Sequence, residues 1–237
     1  DAAAGLEVTL SYGLLPRLDV ITRTVSVTNV GTKTVTIKKL QSACIDFVAG
    51  DYDLLKFYGR HAMERNLERS AIGHAAQLVE SRRGASSHQY NPFVICARHD
   101  ATEDAGSAWG MAFMFSGDFK AQAEKGQFNA TRIQMGLQDE HFAYPVKPGE
   151  SFHAPQVIMS YSSRGLSKNF HACISRHVCH GPYRDAVRPL LINSWEASYF
   201  AISRDSILSL ARQAKELGME MLVMDDGWFG KRDNDLS

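Results

Sequence analysis

The segments LEVTLSY (6–12), DVITRTVSVTN (19–29) and KTVTIKKL (33–40) alternate apolar and polar residues and are rich in Val, Ile and Thr. A period of two puts one face of a segment on a core and the other in water, so each reads as a half-buried β-strand. WGMAFMFSGDF (109–119), ATRIQMGL (130–137) and SFHAPQVIMSY (151–161) continue the pattern, and Asn29-Val30-Gly31-Thr32 has the composition of a turn. From Leu6 to Tyr161 no helical period intervenes. Many short strands separated by polar turns predict an antiparallel sandwich.

After Gly165 the period changes. SKNFHACISRHV (167–178) predicts a helix leading away from the sandwich, and RPLLIN (188–193) suits a strand buried on both faces. Ser203 fits an N-cap with Asp205 in the first turn. Ile207, Leu210, Ala211, Ala214 and Leu217 follow at helical spacing, and Gly218 fits the C′ position. MEMLVM (219–224) then supplies a second buried strand. Strand, helix, strand is a βαβ unit, and its strands are expected to be parallel. The expected organisation is a sandwich domain over 1–164, a helical linker over 165–188 and a βαβ unit over 189–237. Two parallel strands cannot bury themselves, which predicts a piece of something larger.

Parallel strands open their carboxyl ends on one face, where α/β architectures bind ligands. Asn193, Trp195 and Glu196 sit at the end of the first strand, Asp225 and Asp226 at the end of the second. Trp195 and the paired acids are therefore expected to share one mouth. Aromatic faces beside carboxylates suit a sugar, because a ring stacks on the pyranose while a carboxylate accepts from its hydroxyls. A retaining glycosidase pair flanks the scissile bond with its carboxyls about 5–5.5 Å apart. Adjacent residues at one strand end approach from one side and better suit clamping neighbouring hydroxyls. Two weaker alternatives stay open: a directly catalytic role for either acid, or a plain Asp-Asp-Gly turn with Trp228 and Phe229 in the core.

Composition narrows the remaining classes. Lys+Arg and Asp+Glu each number 26, so the net charge of +0 gives no electrostatic argument for nucleic acid or an anionic membrane. No apolar run approaches the ~20 residues of a membrane span. Cys44, Cys96, Cys173 and Cys179 are too scattered for a disulfide scaffold, so free buried thiols are expected. With no signal-peptide shape in DAAAGLEVTL, the expected location is the cytoplasm, secretion being the alternative. Cys173 and His177 share an i, i+4 spacing, but no C-x-x-C or H-E-x-x-H accompanies them, and no metal is expected. Ser86-Ser87-His88 lacks a nucleophile elbow. Asp233-Asn234-Asp235 lacks the glycine and glutamate of a calcium loop and reads as solvated. Asn129-Ala130-Thr131 is a sequon, meaningful only in a secreted protein.

WEASYF (195–200) followed by LVMDDGWFGKRDND (222–235) closely resembles glycoside hydrolase family 36, the bacterial and fungal α-galactosidases. SRRGASSHQYNPF (81–93) and PGESF (148–152) resemble the same family's sandwich domain, so the resemblance spans essentially the whole chain. It implies an antiparallel β-supersandwich followed by the start of a (β/α)8 TIM barrel. It also implies a homotetramer that needs no cofactor and hydrolyses terminal α-galactosides of the melibiose and raffinose type with retention. By position, Asp225 and Asp226 match acids that hold the hydroxyls on C6 and C4, and Trp195 matches a tryptophan lining the pocket. Tyr144 stands where the family has an aromatic, often Trp, lent to a neighbouring subunit's site. A carboxylate on the axial 4-hydroxyl would separate galactose from glucose. The family's nucleophile and acid/base aspartates fall beyond Ser237, so no catalytic residue is assigned and the 237-residue chain alone is expected to be inactive. The alternatives are a non-catalytic sugar-binding or assembly module, an α-N-acetylgalactosaminidase, and a galactosyl-transferring relative.

Overall fold

The computed structural model describes residues 1–165 and 168–236. Ser167, where the helical reading of 167–178 begins, lies outside them. The chain divides into two compact units, Asp1–Val178 and Cys179–Ser237.

The first unit is built from antiparallel strands, as the alternation predicts. They are β1 (Leu6–Leu15), β2 (Val20–Asn29), β3 (Val35–Ile37), β4 (Gln41–Phe47), β5 (Tyr52–Arg60), β6 (Met63–Ala71) and β7 (Gln77–Glu80). There follow β8 (Tyr90–Arg98), β9 (Ala108–Phe113), β10 (Phe119–Lys125), β11 (Thr131–Leu137), β12 (Tyr144–Val146), β13 (Ser151–His153) and β14 (Val157–Ser162). Among the described residues the larger sheet runs β1-β2-β14-β9-β8-β5-β6 with β13 also on β2, and the smaller runs β4-β11-β10-β7.

Alternation fills the space between the sheets. Phe119, Ala121 and Ala123 of β10 and Ile133 and Met135 of β11 point inward, onto Leu54, Val94, Met111 and Val157 of the larger sheet. Each large apolar side chain buried there contributes about 1.5–3 kcal/mol of transfer free energy. β8 departs from the pattern because both its faces are covered. Val94 and Cys96 join the inter-sheet core, while Ile95 and Ala97 pack with Leu55, Ala101 and Ala108. Burial pushes the Cys96 thiol up to about 12.

Asn29-Val30-Gly31-Thr32 is a turn, but it joins two sheets and does not close a hairpin, since β3 pairs with β12. Asn29 is fully buried there. Its amide nitrogen donates to the carbonyls of Lys33 and Val146, both at 2.8 Å, and its side-chain oxygen accepts from Gly31 N at 3.0 Å. The Pro148-Gly149-Glu150 turn closes on the same residue, Gly149 N donating to Asn29 O at 2.8 Å with φ +80° at the glycine.

The helix α1 (Lys168–Cys173), read from sequence as leading away, instead lies on the sandwich. Phe170 and Cys173 are buried against Leu18, Val20 and Ile158. The fit depends on Gly110 of β9: a Cβ there would stand 2.2 Å from the Phe170 ring. The ring also meets Phe93 edge-on at 5.2 Å. Burial raises the Cys173 thiol above its ordinary range, while His177 is exposed. Cys44 and Cys179 are exposed as well, so the expectation of buried thiols holds for Cys96 and Cys173 alone.

The second unit is the expected βαβ. β15 (Leu191–Asn193) pairs in parallel with β16 (Met221–Val223), Leu191 opposite Met221 and Asn193 opposite Val223. Between them stand the short α2 (Trp195–Ser198) and the longer α3 (Arg204–Glu216). Ser203 caps α3, its Oγ accepting from Ser206 N at 3.1 Å while Ser206 Oγ accepts from Ser203 N at 3.0 Å. At the other end Gly218 is left-handed at φ +81°. Met219 N donates to Ala214 O at 2.9 Å and Gly218 N to Lys215 O at 3.1 Å, the two bonds of a Schellman close. The strands are shorter than the sequence runs suggested, three residues each. Leu191 and Met221 are 48% and 44% exposed, because among the described residues of this unit one long helix must cover a two-stranded sheet.

Candidate functional site

The carboxyl ends of β15 and β16 are joined by side chains, and those bonds decide where each group points. Parallel pairing leaves Asn193, at the last rung of β15, beside Val223, two residues before Asp225. Asn193 Nδ2 donates to Asp225 Oδ2 at 2.7 Å, and Asn193 Oδ1 accepts from Trp195 N at 2.8 Å. Ser194 is fully buried between the strand ends. Its N donates to Val223 O at 3.0 Å and its Oγ accepts from Asp225 N at 3.0 Å. Asp225 Oδ1 in turn accepts from Asp226 N at 2.8 Å. Asp226 meets Arg232, whose guanidinium stands 3.1 Å from Oδ2.

The two acids are half-buried, which keeps them reachable while restricting their rotamers. Each carboxylate oxygen has two lone-pair directions, so the contacts above leave acceptor capacity for incoming hydroxyls. The chain turns away immediately after them at Gly227, with φ +101° and Phe200 O at 2.8 Å from where a Cβ would sit. Only glycine combines that dihedral with so close a neighbour.

Trp195 is half-buried and held edge-on by Tyr199 at 5.3 Å and Phe200 at 4.8 Å. Trp228 and Phe229 pack on each other at 5.2 Å and are 59% and 44% exposed in this chain. Trp195, Asp225 and Asp226 thus lie at one end of one βαβ unit. Tyr144 belongs to the other unit, in β12, where its ring packs on Phe152 at 4.5 Å and remains 44% exposed.

Sequence reasoning placed Asn193 at the strand end without giving it a task, and passed over Ser194 and Arg232. The available signal was a small polar pair directly after a strand and before a short helix, the position where side chains satisfy backbone N–H groups. Ser87 serves its own loop, its Oγ accepting from Gln89 N at 3.2 Å, while Ser86 N donates to Ser116 O at 2.7 Å. Asp233 and Asn234 likewise bond within theirs, Asn234 Nδ2 reaching Asp233 Oδ1 at 2.8 Å.

Residues 1–147 match the glycosyl hydrolase family 36 N-terminal domain, and residues 151–237 match the Melibiase family. The chain belongs to glycoside hydrolase family 36. It is 55% identical over 240 residues to the bifunctional alpha-galactosidase/sucrose kinase AgaSK of Mediterraneibacter gnavus, covering 100% of this chain and 26% of that protein. It is 43% identical to the alpha-galactosidase AgaA of Geobacillus stearothermophilus, covering 99% of this chain and 33% of the relative. The solved galactosidase domain of AgaSK superposes with a TM-score of 0.95, over 100% of this chain and 33% of that one. AgaA A355E D478A, crystallised with stachyose, superposes equally well at 0.95, with 42% identity over 99% of this chain and 33% of that one. The chain therefore spans about a quarter to a third of the length of the curated relatives it matches, 26% and 33% for these two.

Proposed function

We propose that the chain is the galactose-gripping part of an α-galactosidase that hydrolyses terminal non-reducing α-D-galactosides with retention. The observation that carries this reading is the pair Asp225 and Asp226 beside Trp195 at the carboxyl ends of two parallel strands, cross-linked through Asn193. Family membership and similarity along the whole of this chain to parts of proteins named α-galactosidases support it. In this reading the carboxylates take hydroxyls on one side of the sugar ring and the indole supports its apolar face. The nucleophile and the general acid come from elsewhere in the longer protein.

The test is to assay the complete protein on an aryl α-galactoside and on the α-glucoside that differs only at C4. Strong preference for the galactoside is expected, because a site that hydrogen-bonds a hydroxyl loses heavily when that hydroxyl is turned away. Equal rates would overturn the reading. Retention is checked by following the first-formed anomer by proton NMR.

Tyr144 enters the reading as an aromatic lent to a neighbouring subunit of a homotetramer. Its ring packs at a tilt on Phe152 and remains 44% exposed, which leaves surface for a sugar. In a tetrameric protein, Tyr144→Ala is expected to raise KM about five-fold with little change in kcat, the loss of one stacking contact of about 1 kcal/mol. An unchanged KM would remove Tyr144 from the site.

A further inference from the structure

In this βαβ unit one side chain bonds to both of the groups assigned to the sugar. Asn193 donates to the carboxylate of Asp225 at 2.7 Å and accepts from the backbone of Trp195 at 2.8 Å. The amide orientation is fixed by its partners. Turned the other way, its oxygen would face a carboxylate oxygen and its NH2 would face an N–H. We propose that Asn193 is a positioning residue of the sugar site, holding the Asp225 carboxylate and the start of the Trp195 turn in one fixed relation. This rests on the α-galactoside reading above, and it adds a role to a residue that does not itself have to touch the sugar.

The reason a dedicated clamp is needed lies in the strands. β15 and β16 are each three residues long, and the last rung of their pairing is Asn193 with Val223. The acids begin two residues past the last rung, where an unrestrained carboxylate would rotate freely. Three bonds remove that freedom from Asp225: Ser194 Oγ holds its N–H, Asp226 N–H holds Oδ1, and Asn193 holds Oδ2. The first two come from the backbone and from a buried hydroxyl on the backbone side. Among these three, Asn193 alone reaches Asp225 side chain to side chain across the strands.

Two substitutions separate this role from a merely structural one. Asn193→Asp keeps an oxygen for the Trp195 N–H but replaces the donor facing Asp225 by a second carboxylate. Asn193→Ala removes both bonds. The probe is 1-deoxygalactonojirimycin, which an AgaA variant holds in a solved complex, titrated calorimetrically into the complete protein. Both variants are expected to bind it roughly ten-fold more weakly or worse, the range of a lost hydrogen bond to a charged group, with the melting temperature of the Asp variant near wild type. Recovery of wild-type affinity in Asn193→Asp would overturn the proposal, since it would mean that the residue serves only the turn.

A double-mutant cycle with Asp225→Ala completes the test. If Asn193 acts through Asp225, its substitution should cost less than about three-fold once the Asp225 carboxylate is gone, allowing for the part carried by Trp195. The same loss in both backgrounds would overturn the proposal. Asp225→Ala binding the probe as well as wild type would overturn the sugar-site reading itself, a result distinct from additivity. Where Asn193→Ala does not fold, the cycle is run with Asn193→Asp.

Discussion

Replacing Arg69 by alanine is expected to destabilise the sandwich by about 2–4 kcal/mol, one of the larger losses available to a single change outside its apolar core. Asp53 of β5 is buried with a side chain only 5% exposed. Arg69 of β6 donates to it through Nε at 2.6 Å, and His99 Nδ1 lies 3.1 Å from the same oxygen. The guanidinium also ties down the turn after β8, donating to the carbonyls of Ala101 at 2.6 Å and of Arg98 and His99 at 2.8 Å. Burial alone would raise the Asp53 carboxyl, but the bonds from Arg69 and His99 outweigh it and hold the group below the usual carboxylate range. Removing Arg69 leaves a buried charge with its main partner gone and takes a donor from three carbonyls, of which that of Arg98 keeps the Ala101 N–H at 2.9 Å. Arg69 is itself 31% exposed, and solvent screening brings the expectation below the full cost of breaking an enclosed pair.

The pH dependence follows from the sign of the shift. A carboxyl held below its unfolded value stabilises the fold at neutral pH, and that contribution is lost as pH falls through the native value. Without Arg69 the bond from His99 is what remains to offset burial, so the variant's carboxyl is held down less firmly than the wild type's. The gap between wild type and Arg69→Ala should therefore narrow as pH falls below about 4, where the wild-type carboxyl takes its proton. Thermal melting at several pH values measures it, with a gap on the order of 10 °C expected near pH 7 for a unit of this size. A constant gap across that range, or one of a degree or two at pH 7, would show that the ion pair does not carry the stability assigned to it. Lysine should restore little, because it lacks the planar fork that reaches the carboxylate and the carbonyls together.

How legible such features are in a sequence depends on whether they are local. The caps of α3 were visible because Ser203 and Gly218 act on their own helix. The parallel βαβ was visible because an apolar period of 3.6 between two short apolar runs has few other foldings. β2 announced itself by alternation, since one of its faces is covered and the other is wet. β8 did not, because Val94 to Ala97 are all buried and a continuous apolar run carries no period. β6, MERNLERSA, is a mostly exposed edge strand whose charges fall on both faces. The helix α1 was legible as a helix, but its direction was not. What holds it down is the missing Cβ at Gly110, distant in sequence and silent until the chain is folded.

The site divides in the same way. Its acids and aromatic were found by residue type at strand ends, while Asn193, Ser194 and Arg232 were not, because their roles exist only across the gap between two strands or around a loop. Asp233-Asn234-Asp235 reads as a solvated loop, yet Arg232 just before it returns to Asp226.

Those contacts also rank the two acids. In the complete protein, Asp225→Asn and Asp226→Asn should each lower kcat/KM on an α-galactoside, by roughly ten- to two-hundred-fold, the range of a lost charged hydrogen bond of about 1.5–3 kcal/mol. Asp225→Asn is expected at the upper end. Both oxygens of Asp225 already accept, one from Asn193 Nδ2 and one from Asp226 N. An amide in that place must set its NH2 against one of these donors, so the change disturbs the whole strand-end linkage as well as the sugar. Asp226 accepts from Arg232 through Oδ2 at 3.1 Å, a bond that an amide oxygen can keep. The fold should survive in both, since the amide is nearly isosteric and the acids are only half-buried. Replacing a nucleophile behaves differently: turnover is almost abolished, and azide restores it as an azido-sugar when the leaving group is good. Kinetics of the two variants with and without azide therefore separate gripping from attack. Azide rescue at either position would mean that the acid is a nucleophile, and a heavier loss at Asp226 than at Asp225 would mean that the linkage through Asn193 does not govern the site.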